Sequence, residues 1–187
     1  MNSNNRIGGF TLLELLITLV IVSAIATFAI PSMGRLVKNA QRHTAVSDMI
    51  ALVNLARNSA IMAQTTVTVC PLDENDECAN DWSGEITVFR DPGASKTLGN
   101  AGQIIRIAPP SHGGQWIANT SSRPYFRFMP TGIANYAIGN MIWCPSNGDM
   151  TIARQLVINR GGRVRQSIDQ DGDGIVENSN GNPIDCS

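Results

Sequence analysis

The stretch that decides the fold is GGFTLLELLITLVIVSAIATFAI, residues 8 to 30. From Phe10 to Ile30 it holds 21 residues of low polarity, broken by a single charge, Glu14. As a helix that length rises about 30 Å, the thickness of a bilayer's hydrocarbon core. A secretory signal peptide fits poorly: the apolar run is too long, Arg6 is the only base upstream, and a carboxylate inside the run is out of place. A buried core helix fits poorly too, because a small domain rarely hides so continuous a run. A carboxylate in hydrocarbon is costly unless paired or neutralised. In an array of parallel helices, its best local partner is a neighbouring subunit's free α-amino group. That requires a cut just before Phe10, and Gly8-Gly9 offers an open site for it. Such a pairing would also set the axial register between neighbours.

Pro31 does not end the helical pattern. Leu36, Val37, Ala40, Val46, Met49, Leu52, Val53, Ala56 and Ala60 recur at threes and fours, with Arg35, Lys38, Arg42, Asp48 and Arg57 between them. A proline there kinks a helix rather than stopping it. Phe10 to about Gln64 then reads as one rod of about 80 Å at 1.5 Å per residue. Its first half suits lipid and its second half lies against something soluble, an arrangement natural to a filament subunit.

From Thr65 the texture changes to short β-rich runs divided by Gly, Pro, Ser and Asn. Strands are expected over 65–70, 84–89, 103–108, 125–129, 150–159 and 162–167, with 114–119 and 138–143 as weaker candidates. Alternation is clearest in 66–70 and 163–168, as half-buried antiparallel strands require. Such a sheet needs a cover, and the amphipathic end of the helix, about 37 to 64, supplies it. The expected class is α+β: a long N-terminal helix, transmembrane in its first half and amphipathic in its second, packed on an antiparallel β-sheet headgroup.

The formal net charge of -1 hides a pattern. Residues 73 to 85 hold six acids and no base, residues 86 to 165 nine bases against Asp91 and Asp149, and the tail from 166 five acids and no base. The four cysteines, Cys70, Cys78, Cys144 and Cys186, suit two disulfides in a chain that leaves the cytoplasm. Three pairings are open. We favour Cys70 with Cys78, a short local loop, and Cys144 with Cys186, which ties down the C-terminus.

No catalytic motif emerges. There is no G-x-S-x-G, P-loop or HExxH. His43 falls in the helical stalk, and His112 falls in a Gly/Ser loop without an evident partner. Trp82, Trp116 and Trp143 read as core or surface residues rather than ligand platforms. Two motifs remain. In DQDGDGIVE, residues 169 to 177, Asp169, Asp171 and Asp173 alternate and Gly174 follows, as in the first half of a loop that offers oxygens to Ca²⁺. Glu177 occupies the ninth position, but the twelfth, ordinarily a bidentate Glu, is Asn180, and no flanking helix is evident. The alternative is an acidic, turn-rich tail held by Cys186. A weak Ca²⁺ site is the one cofactor considered, and none is otherwise expected. In RGGRVR, residues 160 to 165, Gly161-Gly162 is expected to form a hairpin turn that leaves Arg163 and Arg165 on one solvated face. Guanidinium groups so placed, with Arg160 upstream, also suit contact with DNA phosphates. Arg106, Arg123 and Arg127 extend that patch only if the fold sets them alongside it. The acids just downstream repel DNA unless a cation neutralises some of them.

The run Gly9, Phe10, Thr11, Leu12, Leu13, Glu14 ahead of a hydrophobic stretch resembles the prepilin signature of type IV pilins and type II secretion pseudopilins. The resemblance implies that a prepilin peptidase cuts after Gly9 and methylates the new amino-terminus at Phe10. It also implies that Glu14 meets that terminus in the filament and that the helix bends at Pro31. LARNSAIMAQ (55–64), WSGEITVF (82–89), FMPTG (128–132) and QLVINRGGRVR (155–165) resemble the GspH/FimT group within that superfamily. The implied layout is a cleaved leader, 1–9, a transmembrane and filament-core helix, 10–35, and a periplasmic headgroup, 36–187. The implied protein is no enzyme but a minor pilin, set near the tip of a type IV pilus and helping to initiate the fibre. Its implied partners are other major and minor pilins, the prepilin peptidase and an inner-membrane assembly platform. It would wait as a single-pass inner-membrane protein and end in the surface fibre. Two alternatives stay open. One is a DNA-binding minor pilin for natural transformation, since DNA-uptake members carry a GRxR element matched here by Gly162, Arg163 and Arg165. The other is a minor pseudopilin of a type II secretion system.

Overall fold

A computed structural model of the chain describes residues 10–120, 123–134 and 138–186, with the side chains of 28 to 32 also outside the description. The leader, 1 to 9, with Gly9, therefore lies outside the described residues.

One helix, α1, runs Leu12–Met62, through Pro31 without interruption. At 51 residues it rises about 77 Å. Gln64, with φ at 49°, ends it by turning the chain left-handed, while its side-chain amide donates to Ile61 O at 2.6 Å. The chain divides into two compact units between Lys38 and Asn39. Among the described residues the first holds Phe10, Thr11 and the leading part of α1.

The second unit is α+β. Its eight strands are β1 (Val67–Cys70), β2 (Ile86–Arg90), β3 (Ile104–Ala108), β4 (Gly114–Asn119), β5 (Phe126–Phe128), β6 (Gly139–Pro145), β7 (Arg154–Ile158) and β8 (Val164–Gln166). They form two antiparallel four-stranded sheets, ordered β3-β2-β1-β5 and β4-β6-β7-β8. Ala45, Val46, Met49, Leu52, Val53, Ala56 and Ala60 put the buried stripe of α1 into one core with both sheets. That core also takes Val67, Val69, Val88, Phe126, Phe128, Met141, Trp143, Leu156 and Ile158. The stripe begins at Ala45. Leu36 and Val37, which continue the period, are 64% and 52% exposed.

Both sheets are covered on their far faces as well. Across the first, Cys70, Phe89 and Tyr125 make a small cluster closed by Leu72, Cys78 and Leu98. Across the second, Ile142, Cys144 and Ala153 receive Val176 and Ile184 of the C-terminal tail. Cys144–Cys186 and Cys70–Cys78, the two favoured pairings, hold these covers. The half-buried reading of 66–70 is therefore corrected: every residue of β1 is buried. Residues 150–152, read above as strand, form a 3-10 turn whose N-cap, Asp149, accepts from Thr151 N–H at 3.2 Å. The strand starts only at Arg154.

Candidate functional site

At its N-terminus, α1 is capped by Thr11. The Thr11 Oγ1 accepts from Glu14 N–H at 3.2 Å, and Thr11 O accepts from Leu15 N–H at 3.2 Å. Glu14 is thus the third helical residue of a Thr-x-x-Glu start, with its carboxylate at the positive end of the helix dipole. TLLE spells out this capping role, which a reading of Glu14 against lipid and a neighbour's amino-terminus passes over. Eleven large apolar side chains between Phe10 and Ile25 are more than half exposed, Phe10 at 81%. Lone protein surfaces do not present so much contiguous apolar area without a partner. Among the described residues no helix is long and apolar enough to cross a membrane. The side chains of 28 to 32, which complete the apolar run and include Pro31, lie outside the description.

The arginine element is a hairpin between β7 and β8. Asn159 O accepts from Gly162 N–H at 2.9 Å, and Asn159 N–H donates to Arg163 O at 3.1 Å. The turn is centred on Arg160 and Gly161, one residue earlier than expected. Gly162 takes the left-handed position after it, φ 72°, as a three-residue hairpin loop with a glycine bulge requires. A Cβ on Gly162 would lie 2.2 Å from Gly132 O and 2.9 Å from Arg57 Nε. Arg57, on α1, donates to that same Gly132 O at 3.0 Å, and Ala134 N–H donates to Arg160 O at 3.0 Å. Helix, FMPTG turn and RGGRVR hairpin therefore lock around one small residue. The sequence reading had not linked Arg57 to this junction. Val164 turns toward the core, which leaves Arg163 and Arg165 exposed on the outer face, with Arg160 exposed in the turn.

Arg57 reaches the hairpin itself, whereas Arg106 and Arg127 sit on strands of the other sheet. Arg127 lies on β5 in the first sheet, over the Tyr125 ring at 4.5 Å, and pairs with buried Asp91 at 3.2 Å. Asp91 also accepts from Thr68 Oγ1 at 2.9 Å, Ser95 N–H at 2.7 Å and Lys96 N–H at 3.1 Å. Burial pushes the Asp91 carboxyl up. Hydrogen bonds from Lys96, Thr68 and Ser95 outweigh it and hold the group below 3.8. Arg123 donates to Tyr125 Oη at 2.9 Å, and Arg106 sits on β3, also in the first sheet. That sheet carries a structural ion pair rather than an extension of the hairpin's charge.

In the acidic loop the structure gathers Asp169, Asp171, Asp173 and Glu177, one carboxylate oxygen from each lying within 4.8 Å of the others. The three aspartates are exposed and Glu177 is buried. Asp169 accepts from Gly172 and Gly174 N–H at 2.7 and 2.9 Å, Asp173 from Ile175 N–H at 2.7 Å, and Glu177 Oε2 from Gln170 N–H at 2.6 Å.

His43 is exposed beside Arg42, and His112 is exposed in its loop. The three tryptophans are core: Trp82 meets Phe126 edge to face at 5.5 Å, and Trp143 Nε1 donates to Ser111 Oγ at 2.8 Å. A cleft of about 310 Å³ beside the Cys70–Cys78 loop is lined by Leu72, Leu98, Ile104 and Ile107 with Asp76, Asp81 and Glu85.

A family described as type II transport protein GspH matches residues 45–162, more than half of the chain. The chain belongs to this family. A prokaryotic N-terminal methylation motif matches residues 4–30, which implies processing by a prepilin peptidase. Family members are pilin-type structural subunits that assemble with other pilins. In fold the chain is similar to the type IV minor pilin FimU of Pseudomonas aeruginosa PAO1. The identity is 18%, the match covers 67% of this chain and 87% of FimU, and the TM-score is 0.53. It is also similar to the minor pseudopilin EpsH of the Vibrio cholerae Type 2 Secretion System, at 12% identity over 67% of this chain and 95% of EpsH, with a TM-score of 0.49. No curated protein matches closely enough to add to these.

Proposed function

We propose that this GspH-family chain is a minor pilin of a type IV pilus, incorporated near the tip and helping to initiate the fibre. One observation carries the reading: from Phe10 to Ile25 the start of the helical segment exposes eleven large apolar side chains, whereas the later turns of α1 belong to the core of a folded headgroup. Such a surface calls first for lipid and then for other helices. The segment anchors the precursor as a single inner-membrane span with the headgroup in the periplasm. A cut after Gly9 frees Phe10 for methylation, and Glu14 of one subunit meets the amino-terminus of another. The apolar helix then enters the fibre core, joining major and minor pilins supplied through the assembly platform. The likeness in fold to a type IV minor pilin motivates the pilus as the reading put to the test.

The description of the family favours the rival reading, a minor pseudopilin of type II secretion. Deleting the gene separates them. The pilus reading expects loss of surface pili and twitching with secretion intact. Normal piliation with secreted enzymes trapped in the periplasm would contradict it.

A second role is favoured by the exposed Arg160, Arg163 and Arg165 on one hairpin: binding of the DNA backbone. The reading expects duplex-DNA affinity that falls steeply with salt and is weakened when Arg163 and Arg165 become Ala. Absence of salt-dependent binding at low ionic strength removes it.

A further inference from the structure

The C-terminal tail contains a buried oxygen that nothing in the protein satisfies. Glu177 is 4% exposed. Its Oε2 is held by Gln170 N–H at 2.6 Å, but its Oε1 is buried with no hydrogen-bond partner among the described residues. An orphaned carboxylate oxygen in the interior is destabilising unless a donor or positive charge reaches it. Here the surroundings make matters worse. An oxygen each from Asp169, Asp171 and Asp173 lies within 4.8 Å of the Glu177 ligand oxygen. Among the described residues none of these four carboxylates forms an ion pair. Arg154, which feels the charge of Asp169, turns its guanidinium to Thr151 O and Ala153 O at 2.9 and 2.6 Å. Four acids thus gather in one place, and the buried one keeps an oxygen, Oε1, without a donor.

We propose that Asp169, Asp171, Asp173 and Glu177 bind a divalent cation, Ca²⁺, that fixes the C-terminal tail on the second sheet. Oxygen-only ligands of full charge select a hard cation. Ca²⁺ takes oxygens at about 2.3–2.6 Å, so ligands across it stand about 5 Å apart, whereas Mg²⁺ at about 2.1 Å demands about 4 Å and strict octahedral geometry. Four carboxylate oxygens within 4.8 Å of one another are close enough to share one such ion, and a flexible loop suits the ion with the less strict geometry. Gly172 and Gly174, with φ of 83° and 92°, let the loop curl so that residues one, three and five of it face the same centre. Glu177 reaches in from the ninth position, where calcium loops place a ligand often through water. Asn180 at the twelfth cannot supply the usual bidentate carboxylate, so affinity falls at the weak, extracellular end of the range, about 10⁻⁴ to 10⁻³ M.

The cation has a mechanical consequence. Glu177 adjoins Val176, which is buried on the far face of the second sheet with Ile184, and Ile184 N–H donates to Val176 O at 3.0 Å. Cys144–Cys186 secures the far end of this cover. The cation secures the near end.

The test uses the full-length chain in detergent, stripped with EGTA and titrated with CaCl₂ by calorimetry and thermal unfolding, with MgCl₂ as comparison. Wild type is expected to bind one Ca²⁺ saturably and to unfold at a higher temperature with it. Glu177→Gln and the exposed Asp171→Asn are each expected to weaken binding about tenfold or more. In EGTA, Asp171→Asn should unfold no earlier than wild type, because it relieves repulsion. That variant keeps the test valid if Glu177→Gln fails to fold. No saturable binding up to about 10 mM CaCl₂, equal response to Mg²⁺, or variants that bind like wild type would each overturn the proposal and leave Glu177 Oε1 to a water.

Discussion

At the scale of single residues, Gly162 and its two arginine neighbours have separable duties. Gly162 is confined by Gly132 O and Arg57. Gly162→Ala should therefore destabilise the headgroup by about 3 kcal/mol, from left-handed strain plus overpacking. Arg163→Ala and Arg165→Ala, both exposed, should change stability by less than about 0.5 kcal/mol. Urea melts distinguish the two kinds of change, and equal losses for all three would contradict the assignment. Asp91 makes a different prediction. Its carboxyl is depressed in the folded state, so its contribution is complete above the unfolded value of 3.8 and is lost as pH falls through the lower folded value. Asp91→Asn breaks the pair with Arg127 and should cost about 3 kcal/mol at pH 7. The gap to wild type should narrow on acidification below about pH 4, as read from denaturant midpoints across pH.

At the scale of elements, what the sequence disclosed and what it hid have a common physical cause. Periodicity reports burial on one face. The stripe from Val46 to Ala60 was legible because that part of α1 buries one side only. It also misled slightly at Leu36 and Val37, whose period continues although both side chains are exposed. Strand β6 was rated weak, yet it is central to the second sheet. Met141 and Trp143 face the helix and Ile142 and Cys144 face the tail, which erases the alternation that marks a half-buried strand. The Asp149 cap on 150–152 is a local polar contest that an apolar pattern does not reveal. Among the candidate site residues, type and spacing showed the acidic loop directly. The Arg57–Gly132–Gly162 junction was hidden because its members are far apart in sequence and meet only through the fold. The disulfides also act at this scale. Cys144–Cys186 spans 42 residues and Cys70–Cys78 spans 8. Chain entropy then assigns about 4 and about 2.5 kcal/mol to them. Replacing Cys144 and Cys186 by Ser should lower the unfolding temperature more than replacing Cys70 and Cys78. The reverse order would show that the tail contributes little to the second sheet.

At the scale of the whole molecule, one helix meets two kinds of surroundings. Its later turns complete a headgroup whose two sheets each carry apolar clusters on both faces. Its first turns leave Phe10, Leu12, Leu13 and the residues after them uncovered. Glu14 belongs to both descriptions. It begins the helix as part of a Thr-x-x-Glu start and, in the proposed fibre, offers the one charge in the run to a neighbour's amino-terminus. Everything proposed about assembly depends on that terminus existing. The most direct measurement is the intact mass and N-terminal sequence of the chain recovered from cells with an active prepilin peptidase. The account predicts a mature protein that begins at Phe10 and carries one added methyl group. A chain that keeps residues 1 to 9, or is cut elsewhere, would contradict it.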